Sequence, residues 1–140
     1  MRKGICLSSD LQGTQQPGRR SGPVEKGAGG LFSYCIEVLS LDKKNPIGIF
    51  DSGVGGLTVV RSLLDKLPGE SFIYFGDTAH VPYGNKSEAQ LFGYARQILA
   101  YLLSRHVKAV IVACGTHSSV TLPSLEKVCT LPLLGVVKAG

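Results

Sequence analysis

The chain has 140 residues, 44% of them hydrophobic, and a formal net charge of +5. This length suits one domain with a single core, and the composition excludes a chain that is disordered or membrane-embedded throughout. The charge does not indicate nucleic-acid binding, because the basic excess is divided: residues 1–45 hold seven Lys or Arg against four Asp or Glu, and the remainder holds eight against six.

The spacing of the four cysteines argues against two further kinds of site. Cys6, Cys35, Cys114 and Cys129 are widely spaced and form no CxxC pair, so neither a zinc site nor a thioredoxin-type motif is indicated. The sequence shows no secretory signal and no apolar stretch long enough for a bilayer. We therefore expect no metal or organic cofactor, no membrane partner and a location in the reducing cytoplasm.

Two parts are predicted along the chain. Gly and Pro punctuate residues 13–30 so densely that a packed element is improbable, and we predict a flexible, mostly disordered leader over residues 1–45. Within it, residues 31–41 are apolar enough for a short strand or helix, and the sequence does not decide between them. Residues 46–140 form the predicted folded domain.

From residue 46 onward, strands and helices alternate. Four apolar runs, at 47–50, 72–75, 109–113 and 134–137, are typical of buried strands. Apolar residues at helical spacing predict a helix over 57–67, and Ser87 is placed to cap a second helix. A third helical segment, 117–128, must start, kink or split at Pro123. This alternation predicts a doubly wound parallel α/β sheet of four βα units.

Polar residues collect in the loops after the first three strands, where ligands bind in such sheets. The glycines of the first loop, residues 51–56, allow a sharp turn, including one at positive φ, and a close approach to a ligand. Asp51 and Ser52 suit an ammonium or another polar ligand group, or simply cap the next helix. A nucleotide loop is disfavoured, since Thr58 stands where GxGxxG needs glycine.

The second and third loops add a hydroxyl and a thiol. The second, residues 76–86, is long and polar for its place, and Tyr83 and Gly84 could offer a hydroxyl and N–H groups to a carboxylate. In the third, Cys114 ends a buried strand before a helix, whose N-terminus stabilises a thiolate. Cys114 is either a reactive group at an exposed rim or a small buried residue. His117 suggests a cysteine–histidine pair, although such histidines normally come from a distant segment.

Together, the three loops resemble one family. The stretches IGIFDSGVGGLTV, YFGDTAHVPYGNKS and VACGT, in this order and spacing, are similar to the amino-terminal half of bacterial glutamate racemases, over about residues 46–137. The resemblance implies a cofactor-independent isomerase that interconverts L- and D-glutamate for peptidoglycan synthesis. It also implies two α/β domains with the site between them and one catalytic cysteine from each.

Carried over residue by residue, the resemblance gives each loop a role. Cys114 matches the first catalytic cysteine, and Asp51 matches the carboxylate thought to assist that thiol and to bind substrate. The other matches are substrate-binding positions: Ser52, Tyr83, Gly84, Gly115 and Thr116. Inverting an α-carbon needs a base on one face and an acid on the other, while hydrogen-bond donors hold the carboxylate.

The sequence departs from the family at several places. Gly115 replaces an asparagine that contacts substrate, His117 occupies a usually small position, and Lys138 and Ala139 replace Glu-Pro. The chain reaches only Gly140, so we expect the second domain and its thiol to be absent and racemase activity of this chain alone to be negligible.

Two other classes remain open. One is a non-catalytic, truncated amino-acid-binding domain or fragment. The other is a related aspartate racemase, although the stretches DSGVGG and VPYGNKS favour the glutamate branch. The expected small-molecule partner is glutamate, and the expected protein contact is a homodimer or an association through the exposed inter-domain face.

Overall fold

The computed structural model describes the backbone of residues 6–8 and the whole of residues 42–137. The predicted leader therefore lies mostly outside the described residues, and so does the apolar segment 31–41. Two parts of it are described: residues 42–45 hold no helix or strand, and Cys6–Ser8 forms a short strand, β1, where the sequence predicts no regular element. This strand satisfies backbone groups along one edge of the central sheet.

A five-stranded parallel sheet forms the centre of the domain, in the order β1-β3-β2-β4-β5. Strands β2 to β5 are Ile47–Asp51, Phe72–Gly76, Ala109–Val112 and Leu133–Gly135. Helices α1, α2 and α3 are Leu57–Lys66, Glu88–Ser104 and Leu122–Leu125, and each lies between two consecutive strands of this set. The predicted doubly wound parallel α/β fold is confirmed, with β1 added at its edge.

Different helices cover the two faces of the sheet. Successive side chains of a strand point to opposite faces, so Ile49 packs towards α1 whereas Phe50 packs towards α2 and α3. The cluster under α1 consists of Ile47, Ile49, Val60, Phe72 and Tyr74. The larger cluster under α2 and α3 consists of Phe50, Phe75, Ala95, Ile98, Leu99, Leu102, Leu103, Val107, Val110, Val112, Leu125, Cys129 and Leu131.

The helix boundaries follow local signals. Helix α2 begins with a capping box: the Ser87 hydroxyl accepts the N–H of Gln90 at 3.3 Å, and the Gln90 side chain accepts the N–H of Ser87 at 2.9 Å. The predicted N-cap is confirmed. The third helical segment is divided into a π-helical stretch, His117–Thr121, and helix α3, whose first turn contains Pro123. None of the helices in the described part of the chain could cross a membrane.

The strand order creates a switch point between β2 and β4. From β2 the chain moves to β3 on one side, and from β3 it crosses to β4 on the other side. The loops after β2 and β4 therefore lead to helices on opposite faces, and in such sheets the ligand crevice lies at this switch point, outside the carboxyl ends of the strands. Asp51 and Cys114 lie at the ends of β2 and β4, on the two sides of the switch point.

Candidate active site

Asp51 is the buried last residue of β2, the strand in the middle of the sheet. Its Oδ2 accepts the N–H of Gly56 at 2.8 Å, just before α1 begins, where the helix dipole favours a carboxylate. Tyr74 places its hydroxyl 3.4 Å from the same oxygen and donates it to the Gly53 carbonyl at 2.8 Å. Burial, reinforced by Asp51, raises the pKa of Tyr74 well above its ordinary range, so the phenol stays protonated. Asp51 therefore organises the first loop beside the switch point of the sheet.

Two glycines allow the strand-end loops to approach each other closely. A Cβ on Gly56 would stand 2.9 Å from the Cβ atoms of both Asp51 and Ala113, and one on Gly76 would stand 2.4 Å from the carbonyl oxygen of Gly53. Gly56 has an ordinary φ of −64°, and no glycine of the first loop has a left-handed φ. The positive φ that these glycines would allow is therefore not used in the structure. Glycine is needed at positions 56 and 76 because a Cβ at either position would overlap neighbouring atoms.

Asp77 organises the second loop from the end of β3. It is buried, and its Oδ2 accepts the hydroxyl of Tyr83 at 2.6 Å while its Oδ1 accepts Nδ1–H of His80 at 2.7 Å. Its own N–H donates to the Asp51 carbonyl at 2.9 Å, which ties the first two loops together. The sequence-based prediction of the site omits Asp77. The available signal was its position, since it is the first charged residue after a buried strand, as Asp51 is.

The Tyr83 hydroxyl, which the sequence indicates as a donor to a carboxylate, already has a partner in the structure. Its one hydrogen goes to Asp77, and the side chain is buried. Burial and this hydrogen bond raise the pKa of Tyr83 far above its ordinary range. Gly84 differs, because it is exposed and no atom lies within 4 Å of a Cβ built there. The open space beside Gly84 makes its backbone the accessible part of this pair.

Cys114 lies between β4 and a helical turn. Its carbonyl accepts the N–H of Ser118 at 2.9 Å, so Cys114 has the N-cap position of that turn. The side chain is only 4% exposed, and it packs with Tyr83 and Leu91 rather than in the main core. The thiol is therefore buried in the structure, within a cluster that contains a residue of the predicted site. Cys129, by contrast, belongs to the main core.

The parallel register brings the predicted residues to one rim of the sheet. Asp51 pairs with Gly76, and Phe50 pairs with Val112, so the three loops leave the sheet at the same level. Along this rim Ser52 and Thr116 are half-buried, while Gly84 and Gly115 are exposed. No group of three or more potential metal ligands occurs in the described ranges, 6–8 and 42–137.

His117 is fully buried beside the thiol loop. The Thr121 hydroxyl donates to the His117 carbonyl at 3.0 Å, so its oxygen must accept Nδ1–H of the ring, also at 3.0 Å. Nε2 is then an acceptor, and it has no hydrogen-bond partner among the residues that the structure describes. The ring meets the rings of Phe50 and Tyr83 edge-on, with centroids 5.3 and 4.9 Å away. Because Nδ1 is bound to Thr121, the geometry gives no support to a cysteine–histidine pair.

This histidine should make the fold acid-sensitive. Burial lowers the pKa of His117 from 6.5 to about 4, despite the opposing effects of Asp77 and Asp51. The unfolded chain therefore binds the proton first, and stability should fall as the pH drops from 6.5 towards 4, with no contribution above that window. We expect the free energy of unfolding of the wild type, measured with urea, to fall between pH 7 and pH 4 by about 3 kcal/mol more than that of His117→Gln. Equal losses in the two proteins would contradict a buried neutral histidine.

The fold and site define a class: a parallel α/β domain with a carboxylate and a thiol on either side of a switch-point crevice. No protein-family model matches the sequence. The chain is 54% identical over 96 residues to the glutamate racemase of Syntrophus aciditrophicus. The aligned segment covers 69% of this chain and 36% of the relative. The chain therefore spans little more than a third of this relative's length.

Comparison with solved structures points to the same family as the comparison of sequences. Glutamate racemase from Thermus thermophilus, in complex with beta-chloro-D-alanine, superposes with a TM-score of 0.66 at 54% identity, over 69% of this chain and 38% of that one. The enzyme from Francisella tularensis, in complex with D-glutamate, gives a TM-score of 0.63 at 44% identity, over 66% and 36%. The predicted resemblance is confirmed, and this domain is homologous to part of the glutamate racemases.

Proposed function

We propose that this domain forms one wall of a glutamate-binding site and supplies one thiol of a cofactor-independent glutamate racemase. The observation that carries the proposal is the position of Asp51 and Cys114 on either side of the switch-point crevice. The identity to glutamate racemases supports glutamate as the substrate. In this role the protein would act in the cytoplasm and supply D-glutamate for peptidoglycan.

We assign a separate role to each residue at this rim of the sheet. Cys114 exchanges the α-proton on one face of the substrate, and Asp51 faces the substrate ammonium and assists the thiol. The backbone at Gly84, with Ser52, Gly115 and Thr116, holds the carboxylates, because N–H and hydroxyl donors stabilise the charge that develops during proton removal. The Tyr83 hydroxyl donates its hydrogen to Asp77, so it offers a ligand only an acceptor oxygen. Cys129 cannot act on the opposite face, because it is packed in the main core.

Glutamate binding tests this proposal directly. Calorimetric titration with L- and D-glutamate should detect saturable binding, and titration with L-lysine should not. Asp51→Asn should weaken glutamate binding by about tenfold, because the variant loses the charge that faces the ammonium. Asp65→Asn, which changes an exposed carboxylate on α1, is the matched control and should bind like the wild type. Absence of glutamate binding to the wild-type protein would refute the proposal.

A second candidate function is binding without turnover. Two observations favour it: the Cys114 side chain is 4% exposed, and Gly115 has no side-chain amide to offer a substrate. Binding of glutamate without exchange of its α-hydrogen would support this alternative.

Association with another protein chain is a further part of the proposal. Val54 and Val81 are exposed on the first and second loops, and Val136 and Val137 are exposed beyond β5. Such apolar residues support a homodimer or an inter-domain contact at this rim. Sedimentation of the wild type and of Val54→Ser would test it, and a monomer at all concentrations would oppose a homodimer.

A further inference from the structure

The second loop has almost no apolar anchoring of its own. All five residues between Asp77 and Tyr83 are exposed or half-buried, so they contribute little to a core. The two ends of this stretch are buried, and the Asp77 carboxylate joins them through the Tyr83 hydroxyl at 2.6 Å. A short hydrogen bond to a buried carboxylate is among the stronger polar contacts in proteins. The loop therefore depends on Asp77 for its shape.

The same carboxylate also ties the loop to its surroundings. Its second oxygen accepts Nδ1–H of His80, whose ring stacks on Tyr94 of α2 with a centroid distance of 4.0 Å. Its backbone N–H donates to the Asp51 carbonyl. Asp77 thus links the first loop, the second loop and helix α2 at one buried point.

We propose that Asp77 is a positioning residue that acts through Tyr83: it holds the phenol over Cys114 and fixes the adjacent Gly84 backbone. Tyr83 shares its small buried cluster with Cys114 and Leu91, so its position sets the access to the thiol. Lys86 donates its N–H to the Tyr83 carbonyl at 3.0 Å, which makes the turn after Tyr83 dependent on the same anchor. The consequence for glutamate rests on the proposed function, whereas the consequences for the loop and the thiol do not.

Three variants test this role. Asp77→Ala removes both acceptors, Tyr83→Phe removes only the hydroxyl, and Asp77→Asn keeps a side-chain oxygen that can accept from Tyr83. Asp65→Ala on α1 is the exposed control. The readouts are amide hydrogen exchange at Lys86, alkylation of Cys114 by iodoacetamide followed by peptide mass spectrometry, and calorimetry with D-glutamate.

We expect Asp77→Ala and Tyr83→Phe each to accelerate Lys86 exchange and Cys114 alkylation by about tenfold. Exchange at Leu99 in α2 should stay unchanged, which separates local positioning from global stability. Asp77→Asn should recover part of the protection. The double variant should show no more than the larger single effect, because Tyr83→Phe removes a contact that Asp77→Ala also removes. D-glutamate affinity should fall in parallel.

Unchanged exchange and alkylation in Tyr83→Phe, or effects that add in the double variant, would overturn the inference. A variant in which Leu99 exchange rises as much as Lys86 exchange would also count against it, since Asp77 would then serve only global stability. If the wild type binds no glutamate, the proposed function fails, while exchange and alkylation still decide the role of Asp77.

Discussion

Replacement of Cys114 by serine is expected to slow exchange of the α-hydrogen of glutamate by about 10²- to 10⁴-fold, the usual contribution of one acid–base group. Exchange of the α-hydrogen needs one acid–base group, whereas racemisation needs a second group on the opposite face, so exchange is the reaction that tests Cys114. Serine keeps the size and the N-cap position of Cys114, but its hydroxyl is a far weaker acid than a thiol. The variant should therefore stay folded and lose mainly the proton transfer. Exchange is measured by proton NMR of L- and D-glutamate in D₂O.

The control for this experiment is Cys129→Ala. Cys129 lies in the main core and is not in the Cys114 cluster, so its replacement should leave the exchange rate per folded molecule unchanged. Thermal unfolding of both variants separates lost chemistry from lost structure. Retention of wild-type exchange by Cys114→Ser would remove the thiol from the mechanism.

Gly76→Ala is expected to destabilise the domain by about 2 kcal/mol or more, in the range of overpacked cores. The new Cβ would stand 2.4 Å from the Gly53 carbonyl oxygen. That carbonyl cannot move alone, because it accepts the Tyr74 hydroxyl at 2.8 Å and belongs to the loop that carries Asp51. The first loop must therefore shift as a whole, and glutamate binding should weaken together with stability.

Gly69→Ala is the matched control. A Cβ at Gly69 would meet no atom within 4 Å, and its φ is not left-handed. Its free energy of unfolding should be unchanged or raised by about 0.4–1 kcal/mol, since alanine restricts the unfolded chain. Urea unfolding of the two variants beside the wild type measures the difference. Equal stabilities of Gly76→Ala and Gly69→Ala would show that the close approach at Gly76 has no energetic importance.

Much of the fold could be predicted from local pattern. The apolar runs of β2, β3 and β4 and the cap at Ser87 depend on residues close in sequence, and the structure confirms them. Helix α1 ends one residue before its predicted end, and its terminal Leu57 is exposed rather than packed. Amphipathic spacing predicts the buried middle of a helix more accurately than its ends, because the end residues extend past the sheet.

The loops of the candidate site were predictable from the sequence, but their side-chain contacts were not. Asp51, Tyr83 and Cys114 are marked by the loops that contain them, and parallel pairing brings those loops to one rim. Which hydroxyl donates to which carboxylate depends on side chains that are distant in sequence or oriented by packing. For that reason the sequence indicates Tyr83 as a ligand donor, while the structure shows its hydroxyl bound to Asp77.

By itself, then, the sequence determined the α/β class, the strand cores and the three loops that carry the carboxylate, the tyrosine and the thiol. Those features follow from periodicity and from the chemistry of single residues. Only the tertiary structure decided the burial of Cys114 and His117, the need for glycine at Gly76, and the place of Asp77 between two loops. These properties arise from contacts between separate strand ends, and no local pattern encodes a distance between them.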